Sequence, residues 1–224
     1  MQERRAHKGY LMQQGYTSRF LNYLLYLPDD QPAEGLPLIV FLHGSGERGS
    51  DLSLVKRYAL PALLENDSNF PAAVLSPQCP LETRWTDHAP AVLALIDAVR
   101  QRHNFDPMRL YLTGFSMGGQ GVWYIAARAP RLFAAVAPVA ARIPPDPHFL
   151  AHICDLKDVP IWAIHGSADE VVPCENTRNL ATALETCGGK VKVSLLEGAD
   201  HIQTAIKAFA PSFGLYEWLI AHRL

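Results

Sequence analysis

The sequence predicts an α/β fold, a three-layer sandwich with a mostly parallel central sheet between helices and no separate cap domain. Two observations carry this. Short continuous apolar runs (38–42, 72–76 and 159–164) alternate with stretches of helical periodicity, as expected of strands covered by helices on both faces. The pentapeptide Gly114-Phe115-Ser116-Met117-Gly118 also lies between an apolar run, Arg109 to Thr113, and a helical stretch, the context in which a serine is raised on a tight strand-to-helix turn. A length of 224 residues fits one domain over 1–224 with a substantial core.

Taken in order, Arg19 to Leu27 reads as a strand ended by Pro28, and Asp29 to Gly35 as a polar turn. Leu38 to Leu42 is a central strand whose end opens the glycine-rich loop His43-Gly44-Ser45-Gly46. Leu54 to Asn66 has helical spacing with Pro61 as an irregularity, and Ala72 to Ser76 is the next strand. Ala89 to His103 sets Val92, Leu95, Ile96 and Val99 at helical spacing and supplies a crossover back to the strand before Ser116. Gly121 to Ala129 is a helix stopped by Pro130, followed by a buried-strand candidate, Leu132 to Ala137. Arg142 to Pro147 is a proline-rich loop. Val159 to Ile164 is a strand leading to His165-Gly-Ser-Ala-Asp169, and Asn176 to Cys187 is a helix closed by Gly188-Gly189. Lys190 to Leu196 is the last strand and Tyr216 to Leu224 the last helix.

The composition is 49% hydrophobic and 19% charged with a formal net charge of -2, so no basic field invites nucleic acid. No apolar run is long enough for a membrane span, and the basic start, Met1 to Gly9, lacks a following signal-peptide core. Cys79, Cys154, Cys174 and Cys187 have neither metal-site nor C-x-x-C spacing; reduced thiols in a cytoplasmic protein are expected. Cofactor and metal sites are not expected. Gly44-Ser45-Gly46 is too short for a dinucleotide fingerprint, a P-loop lysine is missing, and the nine histidines show no ligand spacing.

A serine hydroxyl needs a base to take its proton and a third group to fix that base's tautomer. With Ser116 as nucleophile, Asp169 and His201 supply the acid and base in the order Ser, acid, His, each after a later strand. Asp200 and Glu170 are the competing acids and His165 the competing base, although Gly166 suggests that His165 packs beneath its loop. The oxyanion hole should combine the amide of Met117 with one from the His43 loop, Ser45 first and Gly44 second. His43 is expected to hold that loop's shape by hydrogen bonding.

The chain resembles the α/β-hydrolase superfamily, and within it the cap-free carboxylesterase group of phospholipase/carboxylesterase, dienelactone-hydrolase-like and feruloyl-esterase-like proteins. The segments that carry this are Phe41 to Gly49, Leu75 to Pro80 with Trp85, Gly114 to Gly119, Ile164 to Pro173, and His201 with Leu215 to Leu219. The resemblance implies the same roles for Ser116, Asp169, His201, the Ser45 region and Met117. It also implies a cleft bordered by Gln78-Cys79-Pro80, with Trp85 as either a wall of that cleft or a core residue, and Gln120 at the turn or in the pocket. Glu47-Arg48 is either a solvated turn or, as the resemblance implies, a brace for the oxyanion loop. The two prolines and Arg142 after residue 141 depart from the glycine-rich form of many relatives.

The function expected is hydrolysis of small or short-acyl carboxylic esters through a covalent acyl-enzyme, with a small-molecule ester as the partner. Thioesters, acyl peptides and acyl transfer use the same trio and are the chemical alternatives. A non-catalytic α/β-hydrolase binding module is the alternative of another class. Oligomeric state is not legible.

Overall fold

The computed structural model describes residues 13–67 and 69–224; the basic start, Met1 to Gly9, lies outside them. Along the chain run β1 (Gln13–Tyr16), β2 (Tyr23–Tyr26), β3 (Leu36–Leu42), α1 (Ala59–Leu63), β4 (Ala73–Pro77), α2 (Ala89–Arg100), β5 (Phe105–Phe115) and α3 (Met117–Arg128). They are followed by β6 (Ala135–Val139), α4 (Phe149–His152), β7 (Ile161–Gly166), α5 (Glu175–Glu185), β8 (Val191–Leu196), α6 (His201–Ala208) and α7 (Leu215–Ile220). Eight strands make one sheet in the order β1-β2-β4-β3-β5-β6-β7-β8. β3 to β8 are parallel, and β2 is antiparallel to both β1 and β4.

Alternation along β3 divides the core into two. Leu38, Val40 and Leu42 pack with Val92 and Ile96 of α2, Val122 of α3 and Leu180 of α5. Ile39 and Phe41 point the other way, toward Leu60 of α1, Ala205 of α6 and Leu219 of α7. A strand covered on both faces has no polar side to present, which is why all seven residues of β3 are buried. This is the three-layer α/β-hydrolase arrangement. Among the described residues the β6–β7 connection holds only α4 and a 3-10 turn, Ile153–Leu156, so no cap stands there.

Several boundaries differ from expectation. The helix expected over Leu54 to Asn66 is broken: a 3-10 turn covers Leu52–Arg57, Tyr58 is extended, and α1 begins at Ala59 with φ at +54°. Pro61 has no amide to give a continuous helix, and the break moves it into the first turn of α1, where none is needed. The strand expected at Leu132 to Ala137 starts at Ala135. β1 was not anticipated, since Gln-Gln-Gly-Tyr carries no apolar alternation. The expectation of four reduced thiols is corrected: Cys154 and Cys187 form a disulfide, their Cα atoms 5.4 Å apart where the end of α5 meets the Ile153–Leu156 turn. That pairing brings together residues 33 apart in sequence and removes the thiol argument for a reducing compartment. Among the described residues no helix is long and apolar enough to cross a membrane.

Candidate active site

The sheet order reverses between β3 and β5, and ligand sites of open α/β sheets form at such a crevice, beyond the carboxyl ends of the strands. β5 ends at Phe115 and α3 begins at Met117, leaving Ser116 alone at the corner with φ 56° and ψ -114°. A non-glycine residue there costs about 1–3 kcal/mol and must be held by its surroundings. The Ser116 amide donates to Val139 O at 2.9 Å, and its carbonyl accepts from the Gln120 amide at 3.0 Å. The flanking glycines let the backbones close: a Cβ on Gly118 would overlap the Leu42 carbonyl, and one on Gly114 would stand 2.6 Å from the same oxygen.

His201 is the first residue of α6, set by Asp200 at the N-cap. Its Nε2 lies 2.9 Å from Ser116 Oγ and its Nδ1 2.6 Å from Asp169 Oδ2. The carboxylate only accepts, so Nδ1 carries the proton and Nε2 is left to accept from the serine hydroxyl. Asp169 is anchored on its other oxygen, where Oδ1 accepts from the amides of Val171 at 3.0 Å and Val172 at 2.8 Å. Three residues far apart in sequence are thus within hydrogen-bond reach of one another.

The competitors are occupied elsewhere. His165 is fully buried; its Nε2 donates to Val172 O at 2.8 Å, and its Nδ1 accepts from Thr177 Oγ1 at 2.7 Å. Burial lowers its pKa, so its 3.4 Å approach to Asp169 is a contact of a neutral ring and not an ion pair. Asp200 closes a capping box with Gln203, and Glu170 is exposed.

The His43 loop is a 3-10 turn, Ser45–Glu47, with Gly44 at its N-cap. The amides of Ser45 and Met117 open helical turns and have no intrahelical carbonyl to reach, which suits them to an oxyanion. Both residues line the cleft with Ser116, whereas Gly44 lines a small cavity behind the loop with His43, Glu47 and Phe115. His43 accepts the Cys79 amide on Nε2 at 2.9 Å and donates from Nδ1 to Gly44 O at 2.6 Å. Burial lowers its pKa to about 4, so it is neutral at pH 7 and its 3.8 Å approach to Glu47 is no ion pair. Arg48 ties the loop outward, from Nε to Ser45 O at 2.9 Å and from Nη1 to Thr83 O at 3.2 Å.

Trp85 does not form a wall of the cleft. It is wholly buried, donates from Nε1 to His43 O at 2.9 Å and packs edge-on to the His43 ring, supporting the loop from beneath. Its indole needs an acceptor when buried, and the loop carbonyl provides one. Gln78 lies behind the loop too, with Nε2 donating to Glu47 O at 2.9 Å and Asp51 O at 2.8 Å. Gln120 lines the cleft and also donates to Ile143 O at 3.0 Å. The cleft has a volume of about 230 Å³, and Arg48, Arg84 and Arg142 line it with no carboxylate among its lining residues. Arg142 donates to Val171 O at 2.9 Å, joining the proline-rich loop to the Asp169 turn. Arg84, Val171 and Val172 are lining residues the sequence did not single out; Arg84 precedes Trp85 and the two valines follow Asp169, so adjacency to motif residues was the available signal. A larger concavity of about 960 Å³ lies toward the opposite strand ends, around Pro130, Cys154 and Leu224, and holds none of these groups. Among the described residues no cluster of three or more His, Cys, Asp or Glu is arranged for a metal ion.

Comparison with known proteins places the geometry in a family. The model of the dienelactone hydrolase family matches residues 77–208, which include Ser116, Asp169 and His201. "Putative esterase NocK" of Nocardia uniformis subsp. tsuyamanensis is 28% identical over 83% of this chain and 56% of that protein. "Putative carboxymethylenebutenolidase" of Escherichia coli (strain K12) is 32% identical over 54% of this chain and 47% of that protein. A crystal structure of a thermostable esterase superposes with a TM-score of 0.78 at 30% identity, covering 95% of this chain and 63% of that one. The chain spans about half the length of these curated relatives. With its matched segment covering more than half of the sequence, the chain belongs to the dienelactone hydrolase family.

Proposed function

We propose that this chain is a carboxylic ester hydrolase that works through a covalent acyl-enzyme on small or short-acyl esters. The observation that carries the reading is the relay from Ser116 Oγ through His201 to Asp169, with links of 2.9 and 2.6 Å. His201 Nε2 takes the hydroxyl proton as Ser116 attacks the ester carbonyl, and the amides of Ser45 and Met117 receive the charge that develops on oxygen. Protonated His201 then gives its proton to the leaving alcohol. Water, deprotonated by the same nitrogen, attacks the acyl-enzyme and releases the acid. Asp169 keeps the imidazole in the productive tautomer and stabilises its cation.

A cleft of about 230 Å³ favours short substrates, because typical drug-sized sites run from about 300 Å³ upward. Arg48, Arg84 and Arg142 in its lining favour esters and lactones that carry an anionic group. The test is product analysis over matched esters, thioesters and amides, including neutral and carboxylate-bearing members, with the protein and its Ser116→Ala variant. Ester hydrolysis that disappears in the variant supports the reading. Near-native ester hydrolysis by Ser116→Ala, or turnover of thioester or amide alone, would contradict it.

A further inference from the structure

Gln120 is almost wholly buried, with 3% of its surface exposed, yet it lines the cleft beside Ser116 and Met117. It stands one turn into α3, and its backbone is held: its amide donates to Ser116 O at 3.0 Å. The helix is packed too tightly at this point to slide. A Cβ on Gly119 would stand 2.6 Å from Val139 O, and one on Gly121 2.6 Å from Trp85 Cβ. The side-chain amide has only one way round. Its partner, the Ile143 carbonyl at 3.0 Å, can only accept, so the NH2 group faces that loop and Oε1 is turned away from it. Ile143 is itself fixed, because its amide donates to Asn176 Oδ1 at 3.1 Å and Asn176 Nδ2 donates to Pro173 O at 2.8 Å. Pro144, next in sequence, further restricts Ile143 to extended backbone.

Gln120 Oε1 accepts no hydrogen bond from the described residues. Nor is it sealed from solvent, as the unpartnered Tyr26 hydroxyl, Ser76 Oγ, Gln78 Oε1 and Trp123 Nε1 are. It is an oriented acceptor that opens on the cleft. The other polar side chains there are the guanidinium groups of Arg48, Arg84 and Arg142 and the hydroxyls of Ser45 and Ser116. Oε1 is thus the one side-chain oxygen among the lining residues that accepts and cannot donate. Whatever complements it must bring a donor, and three guanidinium groups repel a cationic one such as an ammonium. A hydroxyl is the neutral donor that small esters carry. We propose that Gln120 is a specificity-determining residue whose Oε1 accepts a hydrogen bond from a substrate hydroxyl, so that hydroxy esters are the preferred substrates. This rests on the ester-hydrolase reading. It adds a required donor to the anionic group that the arginines favour, and it gives the proline-rich loop a part in selectivity through Ile143.

The test uses two matched sets of short esters. One is an α-hydroxyacyl ester with its deoxy, fluoro and methoxy analogues, which places the hydroxyl on the acid; the other is a hydroxyethyl ester with the same replacements, which places it on the alcohol. The readout is the ratio of kcat/KM between the hydroxy member and each analogue, every value first divided by that ester's rate of hydrolysis by hydroxide. Wild type should favour the hydroxy member of one set over all three analogues by about tenfold, the discrimination that one hydrogen bond between neutral groups carries. Fluorine and methoxy oxygen remain within reach of the arginines but bring no hydrogen, so a preference due to the arginines would extend to the methoxy analogue. In Gln120→Met and Gln120→Leu, which lack the acceptor, the ratio should fall to near one. A merely structural role, tying α3 to Ile143, would slow every member by the same factor and leave the ratio unchanged. The wild-type ratios decide the matter even if neither variant folds. Ratios near one in both sets, a methoxy analogue as good as its hydroxy parent, or a wild-type ratio in folded Gln120→Met would overturn the proposal and leave the ester-hydrolase reading standing. A wild-type protein inert to every ester in both sets would overturn that reading and this proposal with it.

Discussion

Replacing Asp169 by asparagine leaves the volume of the site unchanged and reverses one hydrogen bond. In the native site Oδ1 accepts two backbone amides, from Val171 at 3.0 Å and Val172 at 2.8 Å, while Oδ2 accepts from His201 Nδ1 at 2.6 Å. Asparagine has one oxygen and must choose a side. Facing the two amides, it satisfies both and turns its NH2 toward Nδ1. The other orientation strands buried donors against a donor, at about 1–3 kcal/mol each. The NH2 therefore donates to Nδ1, the imidazole carries its proton on Nε2, and Ser116 Oγ loses its acceptor 2.9 Å away. The same exchange in a well-studied serine protease lowered turnover by about 10⁴. For this protein kcat should fall by about 10³ to 10⁴, equivalent to about 4–5.5 kcal/mol of barrier. Initial rates on a chromogenic short-acyl ester at pH 7 read the effect, with the thermal midpoint checking the fold. A folded Asp169→Asn protein with kcat within about tenfold of wild type would refute the tautomer argument.

Other consequences follow from particular contacts. Gly118→Ala would drive a Cβ into the Leu42 carbonyl, so soluble yield or the denaturation midpoint should collapse, by more than about 4 kcal/mol; a normal midpoint would show that α3 can shift away from β3. His43, whose folded pKa is about 4 against 6.5 in the unfolded chain, binds a proton in the unfolded state first as pH falls. Its stabilisation is complete above pH 6.5 and is lost between 6.5 and 4, by up to about 3 kcal/mol, and His165 acts in the same direction. Glu47, with a raised pKa, acts in the opposite sense, so urea midpoints at pH 7.5 and 5 should fall more steeply in Glu47→Gln than in wild type; an equal or shallower fall would contradict this. Replacing Cys154 and Cys187 by alanine opens a loop between residues 33 apart, so the urea midpoint should fall by the equivalent of about 3–4 kcal/mol with little change in kcat; an unchanged midpoint would argue against the bridge.

The sheet was readable because β3, β4, β6 and β7 are buried on both faces and so appear as unbroken apolar runs. β1 is an edge strand with two exposed residues out of four, so nothing forces an apolar pattern on it. The start of α6 is written in the sequence as the capping-box spacing of Asp200 and Gln203, but the helix has only eight residues, too few for a clear helical periodicity. Ser116, Asp169 and His201 were legible because each follows a strand or ends a short motif, and strand ends are where an α/β sheet gathers side chains. Of the two roles open to Trp85, cleft wall and core residue, the buried one holds, and the choice was not legible because sequence proximity to a cleft does not tell which face of the loop a side chain supports. The disulfide was illegible for the same reason, its partners being joined only by tertiary packing.

If this chain hydrolyses esters as proposed, Ser116 must be an activated nucleophile. Treating the folded protein with a fluorophosphonate and mapping the adduct by peptide mass spectrometry tests it directly. One covalent adduct is expected, on Ser116, absent in Ser116→Ala and greatly slowed in His201→Ala. An unmodified wild-type protein, or an adduct carried by another residue while Ser116 stays free, would contradict it.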